Sequence, residues 1–397
     1  MPLQIGLITG EYPPMEGGVG AFTQELAKAL AVWHEVHILT GRGARPLSPK
    51  TKTSVSKARQ SVDLGFATLY PFINRWRWPS MAVAADWTLR YELDVVNIQY
   101  QPAAFNMKSG AINLLPWRLK GAAKTVVTFH DLRVPYLFPK AGKLRRWAVN
   151  FMTRQADGVI ATNRADYDSL QRLEIGKPLK NIPIGSNIVA REVEAGEITA
   201  VRRELNLQDD DCLLGYFGFL NESKGADTLL RALAQLDEQV HLVFIGGRTG
   251  SSDEANNQVY FEQLDGLIIE LNLTERVHWT GFVPEHHVSA YLNAADLMVM
   301  PYRDGSSLRR GTLMAALAHG RPLISTTPTT STPELEHGRN VWFVPVDDVS
   351  ALAAAIQTVL ADADLRTHLG QGAAQVADLF TWDKIAGDTA VFYERLI

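Results

Sequence analysis

The apolar positions along the chain fall into short, almost uninterrupted runs that alternate with amphipathic stretches. Such runs predict buried strands, because the strands of a parallel sheet are covered on both faces. In the first half these runs are Ile5 to Ile8, Val36 to Leu39, Val95 to Gln99, Val126 to Phe129 and Val159 to Thr162. Amphipathic helices are predicted between them, as where Phe22, Leu26 and Leu30 recur at fourfold spacing. This alternation predicts βαβ units in a doubly wound α/β sheet.

The same pattern restarts after a turn-rich segment at residues 182–187. The second series of predicted strands is Leu213 to Phe219, Val240 to Ile245, Val277 to Thr280, Leu297 to Met300, Leu323 to Ser325 and Trp342 to Val344. We therefore predict one Rossmann-like domain at 1–188, a polar linker at 189–200, a second Rossmann-like domain at 201–378 and a final helical segment at 379–397. Two such domains are expected to place a cleft between the carboxyl ends of their sheets, where ligands of open α/β sheets bind.

Composition excludes several classes of protein. The chain has 397 residues and a net charge of −4, with no recognisable nucleic-acid module, so nucleic acid is not expected as a partner. Cys212 is the one cysteine, which excludes a disulfide framework and a cysteine-based metal site. No segment approaches the ~20 apolar residues of a spanning helix, and the N-terminus resembles a strand rather than a signal peptide. We expect a cytoplasmic protein whose membrane contact, if any, is peripheral.

Two candidate site segments lie in the first half. Gly17, Gly18 and Gly20 stand between a strand and a helix, where glycines allow close backbone approach and helix N–H groups attract a diphosphate. The alternative is an ordinary glycine turn. His130, followed by Asp131, ends a predicted strand, where its imidazole can donate to a sugar hydroxyl or a developing charge. The alternative is a structural histidine with its own partner.

The second half offers two further segments with cations between a strand and a helix. Lys224, within the stretch from Gly218 to Gly225, can direct its ammonium at a phosphate, or can be a solvated lysine. The loop at 305–312 combines hydroxyls, helix N–H groups and guanidinium groups, which together form an anion site. Its candidate residues are Ser306, Ser307, Arg309, Arg310, Gly311 and Thr312. Adjacent arginines cannot both face one way on a helix, so one of the two is expected to be solvated.

These motifs occur in a familiar order. The order Gly17-Gly18, His130-Asp131, Lys224-Gly225, Gly281-Phe282-Val283, followed by segments 316–324 and 381–385, resembles the retaining GT-B glycosyltransferases related to sucrose synthase and bacterial mannosyl- and glucosyltransferases. The resemblance covers essentially the whole chain.

The resemblance implies a nucleoside-diphosphate sugar as donor and transfer with retention, without a metal or other cofactor. It implies that the glycine loop and Lys224 approach the diphosphate from the two domains, that backbone groups near Val283 hold the base, and that His130 lies near the transferred sugar. Asp131, Gly218 and Gly246 are assigned to the same substrate-binding set. The acceptor is expected on the N-terminal domain, onto which the last helix crosses back.

Two departures from the family pattern concern charged residues. The two family glutamates spaced E-x7-E correspond here to Ser307 and Ala315, neither of which is a carboxylate, and a family arginine corresponds to Phe219. Our hypothesis is that Arg309 or Arg310 supplies the charge missing at Phe219.

The predicted function is hexosyl transfer to an acceptor that is a glycan, a lipid-linked molecule or a small molecule. The alternatives are a non-catalytic sugar-nucleotide-binding protein and a GT-B-fold sugar-nucleotide epimerase. Aromatic residues interleaved with cations at 74–79 and 136–147 suit an anionic membrane surface or a lipid-diphosphate acceptor, or else an ordinary loop. The sequence leaves the donor base, the sugar, the acceptor and the oligomeric state open.

Overall fold

The computed structural model describes residues 2–15, 17–45, 60–105, 110–132, 142–186, 188–246 and 254–397. The aromatic and basic residues Tyr136 to Lys140 lie outside these ranges, and so do the side chains of Lys143 and Arg145. The chain forms two compact units. The first unit comprises Met1–Gly185 and Trp382–Ile397, and the second unit comprises Ser186–Thr381.

The first unit is built on an eight-stranded sheet. Its strands are β1 (Gln4–Thr9), β2 (Glu35–Gly41), β3 (Val62–Asp63), β4 (Thr68–Ile73), β5 (Val95–Tyr100), β6 (Lys124–Phe129), β7 (Gly158–Ala161) and β8 (Leu179–Asn181). The strand order is β3-β4-β2-β1-β5-β6-β7-β8, and every pair is parallel except β3 with β4. The helices α1 (Gly18–Leu30), α2 (Trp78–Arg90), α3 (Leu115–Arg118), α4 (Gly142–Gln155) and α5 (Arg164–Gln171) connect them.

The second unit is a six-stranded, wholly parallel sheet. Its strands are β9 (Cys212–Phe217), β10 (Val240–Ile245), β11 (Val277–Trp279), β12 (Leu297–Met300), β13 (Leu323–Thr326) and β14 (Trp342–Val344). They are ordered β11-β10-β9-β12-β13-β14. Its helices are α6 (Ala195–Glu204), α7 (Ala226–Leu233), α8 (Glu254–Glu270), α9 (Glu285–Ala294), α10 (Gly311–Ala318), α11 (Val349–Ala361) and α12 (Ala363–Ala377).

The last helix, α13 (Trp382–Glu394), packs within the first unit against α1. The hydroxyl of its Tyr393 accepts a hydrogen bond of 2.6 Å from Nδ2 of Asn97 on β5. A Cβ atom on Gly158 of β7 would lie 2.8 Å from Cε1 of Phe392, so a larger residue there would force the Phe392 ring to shift. The helix therefore completes the core of the first unit.

The two faces of the first sheet carry different helices. The core on one face contains buried residues of α2, α3 and α4, for example Met81, Leu115 and Met152. The core on the other face contains buried residues of α1 and α13, for example Leu26 and Ile385. No helix in the described ranges is long and apolar enough to cross a membrane.

Predicted boundaries differ from the structure at several elements, and two of these differences have a clear local cause. Helix α6 begins at Ala195, inside the range predicted as a linker. Its polar residues form a capping box between Glu194 and Glu197, and Arg191 Nη2 lies 2.5 Å from Glu197 Oε2. The predicted strand 213–219 ends earlier, at Phe217, because Gly218 turns the chain with a φ of +117°. Both differences come from local backbone chemistry at the ends of elements.

Candidate active site

The predicted cations of the second unit meet above one buried aromatic ring. Lys224 follows β9 and Arg310 follows β12, and these two strands are neighbours in the sheet. The Nζ atom of Lys224 lies 5.2 Å from the centroid of the Tyr302 ring, and Cζ of Arg310 lies 4.0 Å from it. Tyr302 is fully buried. The aromatic face therefore holds both cations in place, as cation–π contacts do.

We call Lys224 and Arg310 the cation cluster, and their positive charge exceeds the negative charge of the described residues beside them. Asp304 forms an ion pair with Arg310, whereas Lys224 forms no ion pair with any described residue. Burial, together with the charge of Arg310, lowers the pKa of Lys224 to about 7, although Asp304 opposes the shift. The Nε atom of Arg310 is buried and has no hydrogen-bond partner among the described residues. A bound anion would pair with the ammonium of Lys224 and accept a hydrogen bond from Nε of Arg310, because buried charges and donors need partners.

Backbone geometry brings two further predicted residues to the cation cluster. A Cβ atom on Gly218 would lie 2.4 Å from Cγ2 of Thr312, so the absence of a side chain allows this contact. The hydroxyl of Thr312 lies 3.1 Å from that of Tyr302. Gly311 and Thr312 begin α10, whose N-terminus has no side-chain cap. Free N–H groups at a helix start attract anions, so the backbone adds to the charge of the side chains.

Gly246 and Val283 lie on two adjoining loops of the second unit. Gly246, with a φ of +118°, lies beside Gly218 and forms a bridge to Gly281. Its N–H donates a hydrogen bond of 3.0 Å to the hydroxyl of Thr280. Val283 follows two residues after Gly281 and is half-buried. The predicted base-binding segment therefore lies next to the loop that begins the cation cluster.

The structure separates Ser306 and Arg309 from these residues. The hydroxyl of Ser306 is buried and donates to Thr326 O at 2.5 Å, so it is not exposed to a ligand. Arg309 turns towards Ser307, whose hydroxyl lies 3.3 Å from its Nε atom. Of the two adjacent arginines, Arg310 is thus the one beside Lys224.

Ala315, the position of the second family glutamate, is fully buried in α10. Its carbonyl oxygen lies 2.7 Å from Nδ1 of His319, whose Nε2 lies 2.8 Å from Ser289 Oγ. A glutamate side chain has no room at this packed position without rearrangement of the core. A carboxylate that contacts a ligand therefore has to come from another position.

In the first unit, a carboxylate already occupies the glycine loop. Oε1 of Glu11 accepts hydrogen bonds from the N–H groups of Val19, at 3.0 Å, and Gly20, at 3.3 Å. A Cβ atom on Gly17 would lie 2.1 Å from the Glu11 carboxyl carbon, whereas Gly18 faces open space. Burial raises the pKa of Glu11, and the two N–H bonds oppose the rise. The structure thus assigns these helix N–H groups to Glu11, where the sequence predicted a phosphate.

His130 has a defined partner at the end of β6. Its Nε2 lies 2.9 Å from Oε1 of Gln99, and because an amide oxygen only accepts, this orientation of the Gln99 amide places the imidazole proton on Nε2. Burial lowers the pKa of His130 to about 3, which keeps the ring neutral. Nδ1 has no partner among the described residues, so the ring offers an acceptor to a hydroxyl rather than the predicted donor. Asp131 follows and is half-buried.

Sequence reasoning missed Gln99, and it named Glu11 and Glu222 only as possible polar contacts without a role. Gln99 is fully buried at the end of β5, and its Nε2 has no partner among the described residues. A polar residue at the end of an otherwise apolar strand was the available signal for Gln99. Among the described residues, no three His, Cys, Asp or Glu side chains are grouped to hold a metal ion.

Both units match models of glycosyltransferase domains. Residues 17–184 match a glycosyl transferase 4-like domain, and residues 211–362 match the domain described as glycosyl transferases group 1. The D-inositol 3-phosphate glycosyltransferase of Stackebrandtia nassauensis is 26% identical over 242 residues, which cover 59% of this chain and 53% of the relative. Its namesake from Corynebacterium jeikeium is 29% identical over 201 residues, covering 49% and 46%. The chain spans about half the length of the curated relatives it matches.

Solved structures of the GT-B fold are similar over the whole chain. Sucrose-phosphate synthase from Thermosynechococcus elongatus has a TM-score of 0.75 at 22% identity, covering 99% of this chain and 98% of that one. Anabaena HepE in complex with UDP and glucose has a TM-score of 0.73 at 19% identity, covering 99% of each chain. The fold and the two domain matches agree, and the chain therefore belongs to the GT-B glycosyltransferases, with a glycosyltransferase 4-like domain followed by a group 1 domain.

Proposed function

We propose that this protein transfers a hexosyl group, with retention, from a nucleoside-diphosphate sugar to a glycan, a lipid-linked molecule or a small molecule. The observation that carries the proposal is the cation cluster, in which Lys224 and Arg310 share the Tyr302 ring and have Asp304 as their one counter-charge among the described residues. A diphosphate supplies the negative charge that this arrangement lacks.

The cation cluster suits the chemistry of the leaving group. As the glycosidic bond breaks, negative charge builds on the departing diphosphate, and fixed cations and N–H groups lower the barrier to that step. Lys224, Arg310 and the N–H groups of Gly311 and Thr312 are the groups proposed for this role. Arg310 then replaces the family arginine at the position of Phe219, as the sequence hypothesis suggested for one of the two arginines.

The proposal of retention rests on the family resemblance and on the state of two carboxylates, one in each unit. Glu11 is held by two N–H groups and Asp304 by Arg310, so neither carboxylate is free to attack the sugar. This favours a front-face route without a covalent intermediate. In that route the neutral His130 accepts a hydrogen bond from a sugar hydroxyl through Nδ1, while Gln99 holds the ring.

The first donors to test are uridine nucleotides, because Anabaena HepE has been solved with UDP and with UDP-glucose. We propose that no metal or other cofactor takes part, since the cation cluster and helix N–H groups supply positive charge. A cytoplasmic location is part of the same proposal, because nucleotide sugars are made there.

A thermal-shift screen against UDP, GDP, ADP and their common sugars tests donor binding. A ligand of the folded state raises the melting temperature by mass action. We expect a shift with one nucleotide that disappears in Lys224→Ala and persists in Arg231→Ala, an exposed cation of the same unit paired with Asp227. Absence of any shift in folded wild-type protein would refute the donor site.

Product analysis with the identified donor then separates transfer from its rivals. A new glycoside whose anomeric configuration matches that of the donor, as seen by NMR, supports the proposal. A 2-epimer of the donor indicates the epimerase instead, and tight binding with no product after an acceptor screen indicates a non-catalytic binding protein.

A further inference from the structure

One helical layer of the first unit carries an unusual set of exposed tryptophans. Trp78 on α2 is 67% exposed, Trp117 on α3 is 53% exposed and Trp147 on α4 is 56% exposed. Trp33, in the turn after α1, is the fourth exposed tryptophan of the described residues. Large aromatic side chains normally bury their area, so three exposed indoles on one layer indicate a surface with a partner.

The three indoles point away from the same face of the sheet. Helices α2, α3 and α4 bury Met81, Leu115 and Met152 in one continuous core on that face. Helix α3 contacts both α2 and α4. Residues on these helices that are turned away from this shared core therefore project to one side. Trp33 is connected to α1, whose buried residues belong to the core on the opposite face.

The surface around these indoles is basic although the whole chain has a net charge of −4. The exposed cations on α2, α3, α4 and their adjoining turns are Arg75, Arg77, Arg90, Arg118, Lys120, Arg146 and Arg154. The exposed acidic residues on the same segments are Asp86 and Glu92, and Arg90 lies 3.5 Å from Asp86. Positive charge is therefore concentrated beside the exposed tryptophans.

We propose that this tryptophan–arginine surface, formed by the exposed residues of α2, α3 and α4, docks the protein on an anionic lipid bilayer. Indole rings prefer the headgroup level of a bilayer, where one edge is apolar and the other is wet. Lysine and arginine side chains add attraction to anionic lipids, and this attraction falls within a Debye length. A surface that binds an anionic polymer needs only cations, so the three exposed indoles favour a lipid bilayer. The proposal is independent of donor binding, which concerns the second unit.

Vesicle flotation with the full chain tests the proposal. We expect binding to phosphatidylcholine vesicles that contain about one-third phosphatidylglycerol, weaker binding to pure phosphatidylcholine, and loss of binding as salt is raised. Equal binding to both vesicles, or binding to neither, would overturn the proposal. Binding to heparin without binding to anionic vesicles would assign the surface to an anionic polymer instead.

Matched variants locate the surface. The triple variant Trp78→Ser, Trp117→Ser, Trp147→Ser and the double variant Arg118→Ser, Lys120→Ser should each bind anionic vesicles about tenfold or more weakly. The controls are Trp33→Ser and the double variant Arg203→Ser, Arg395→Ser, which alter exposed residues elsewhere. Controls that lose binding as strongly as the surface variants would refute this location.

A melting temperature and a donor-induced shift like those of the wild type show that the variants are folded. A surface variant that keeps donor binding but loses vesicle binding supports docking alone. If the wild type binds vesicles but shows no donor-induced shift of its melting temperature, the donor site is refuted and the docking proposal stands.

Discussion

Two helix starts at which the sequence predicted an anion are completed in opposite ways. In the first unit, the positive end of α1 is satisfied internally, because Glu11 accepts from Val19 and Gly20. In the second unit, α10 begins without a side-chain cap, and Lys224 and Arg310 add positive charge beside it. The comparison teaches that a glycine-rich helix start need not be an anion site, since its own chain can supply the anion. The groups suited to bind a phosphate therefore lie mainly in the second unit.

The largest effect should come from removing the buried guanidinium. Arg310→Ala should weaken donor binding roughly 10- to 150-fold, the equivalent of ~1.5–3 kcal/mol for a hydrogen bond to a charged group. Arg309→Ala is the matched control, because Arg309 turns towards Ser307, and we expect a change below about threefold. Isothermal titration calorimetry measures both. Equal affinity of Arg310→Ala and wild type would show that the cation cluster does not hold the donor.

A smaller effect should appear as a dependence of donor affinity on pH. The pKa of Lys224 is lowered to about 7 in the free protein, so its ammonium is fully formed below that pH and is lost above it. A bound diphosphate favours the ammonium. Donor affinity should therefore be greatest below pH 7 and fall about tenfold between pH 6.5 and 8.5.

The measurement uses an intact nucleotide sugar, whose diphosphate does not titrate in this range. Lys224→Arg is the control, because a guanidinium remains charged throughout and should give a flat profile. A wild-type profile as flat as that of Lys224→Arg would mean that Lys224 does not contact the diphosphate.

The smallest effect on donor binding is expected at Glu11. Glu11→Ala removes the acceptor of two N–H groups at the start of α1 and should lower the free energy of unfolding by about 1 kcal/mol, as the loss of a helix cap does. Donor affinity should change less than about threefold, because the carboxylate and not the ligand occupies these groups. Urea unfolding measures the free energy of unfolding, and isothermal titration calorimetry measures donor affinity. A loss of affinity matching that of Arg310→Ala, at unchanged stability, would show that the glycine loop holds the anion after all.

The alternation of apolar runs predicted five of the eight strands of the first sheet and all six strands of the second, because buried parallel strands leave a strong signal in sequence. The short strands β3 and β8, of two and three residues, carry too little of that signal and were missed. Strand β4 was missed, since Pro71 interrupts it and cannot donate to a ladder. The structure tolerates this proline where the pairing of β4 with β2 shifts register between Leu39 and Gly41.

The sequence predicted those residues of the candidate site that a single segment identifies, but not the contacts between segments. The sequence identified Lys224 and the arginine pair, but it could not decide between Arg309 and Arg310. That choice depends on Tyr302, whose ring attracts one of them. Gln99 was missed because it acts through His130, which is distant in sequence, and pairwise contacts across a fold leave no periodic pattern. Glu11 was a possible polar contact in the sequence, but its bonds to the start of α1 depend on how the chain turns between them.

The position of α13 has a consequence for biosynthesis. Tyr393 bonds to Asn97, which precedes it by 296 residues, so the first unit cannot complete its core until the second has been translated. The second unit does not have this requirement, because its residues, Ser186–Thr381, are contiguous. A chain truncated before Trp382 would thus combine an unfinished N-terminal core with a C-terminal unit that has all its residues, a state open to chaperones and proteases.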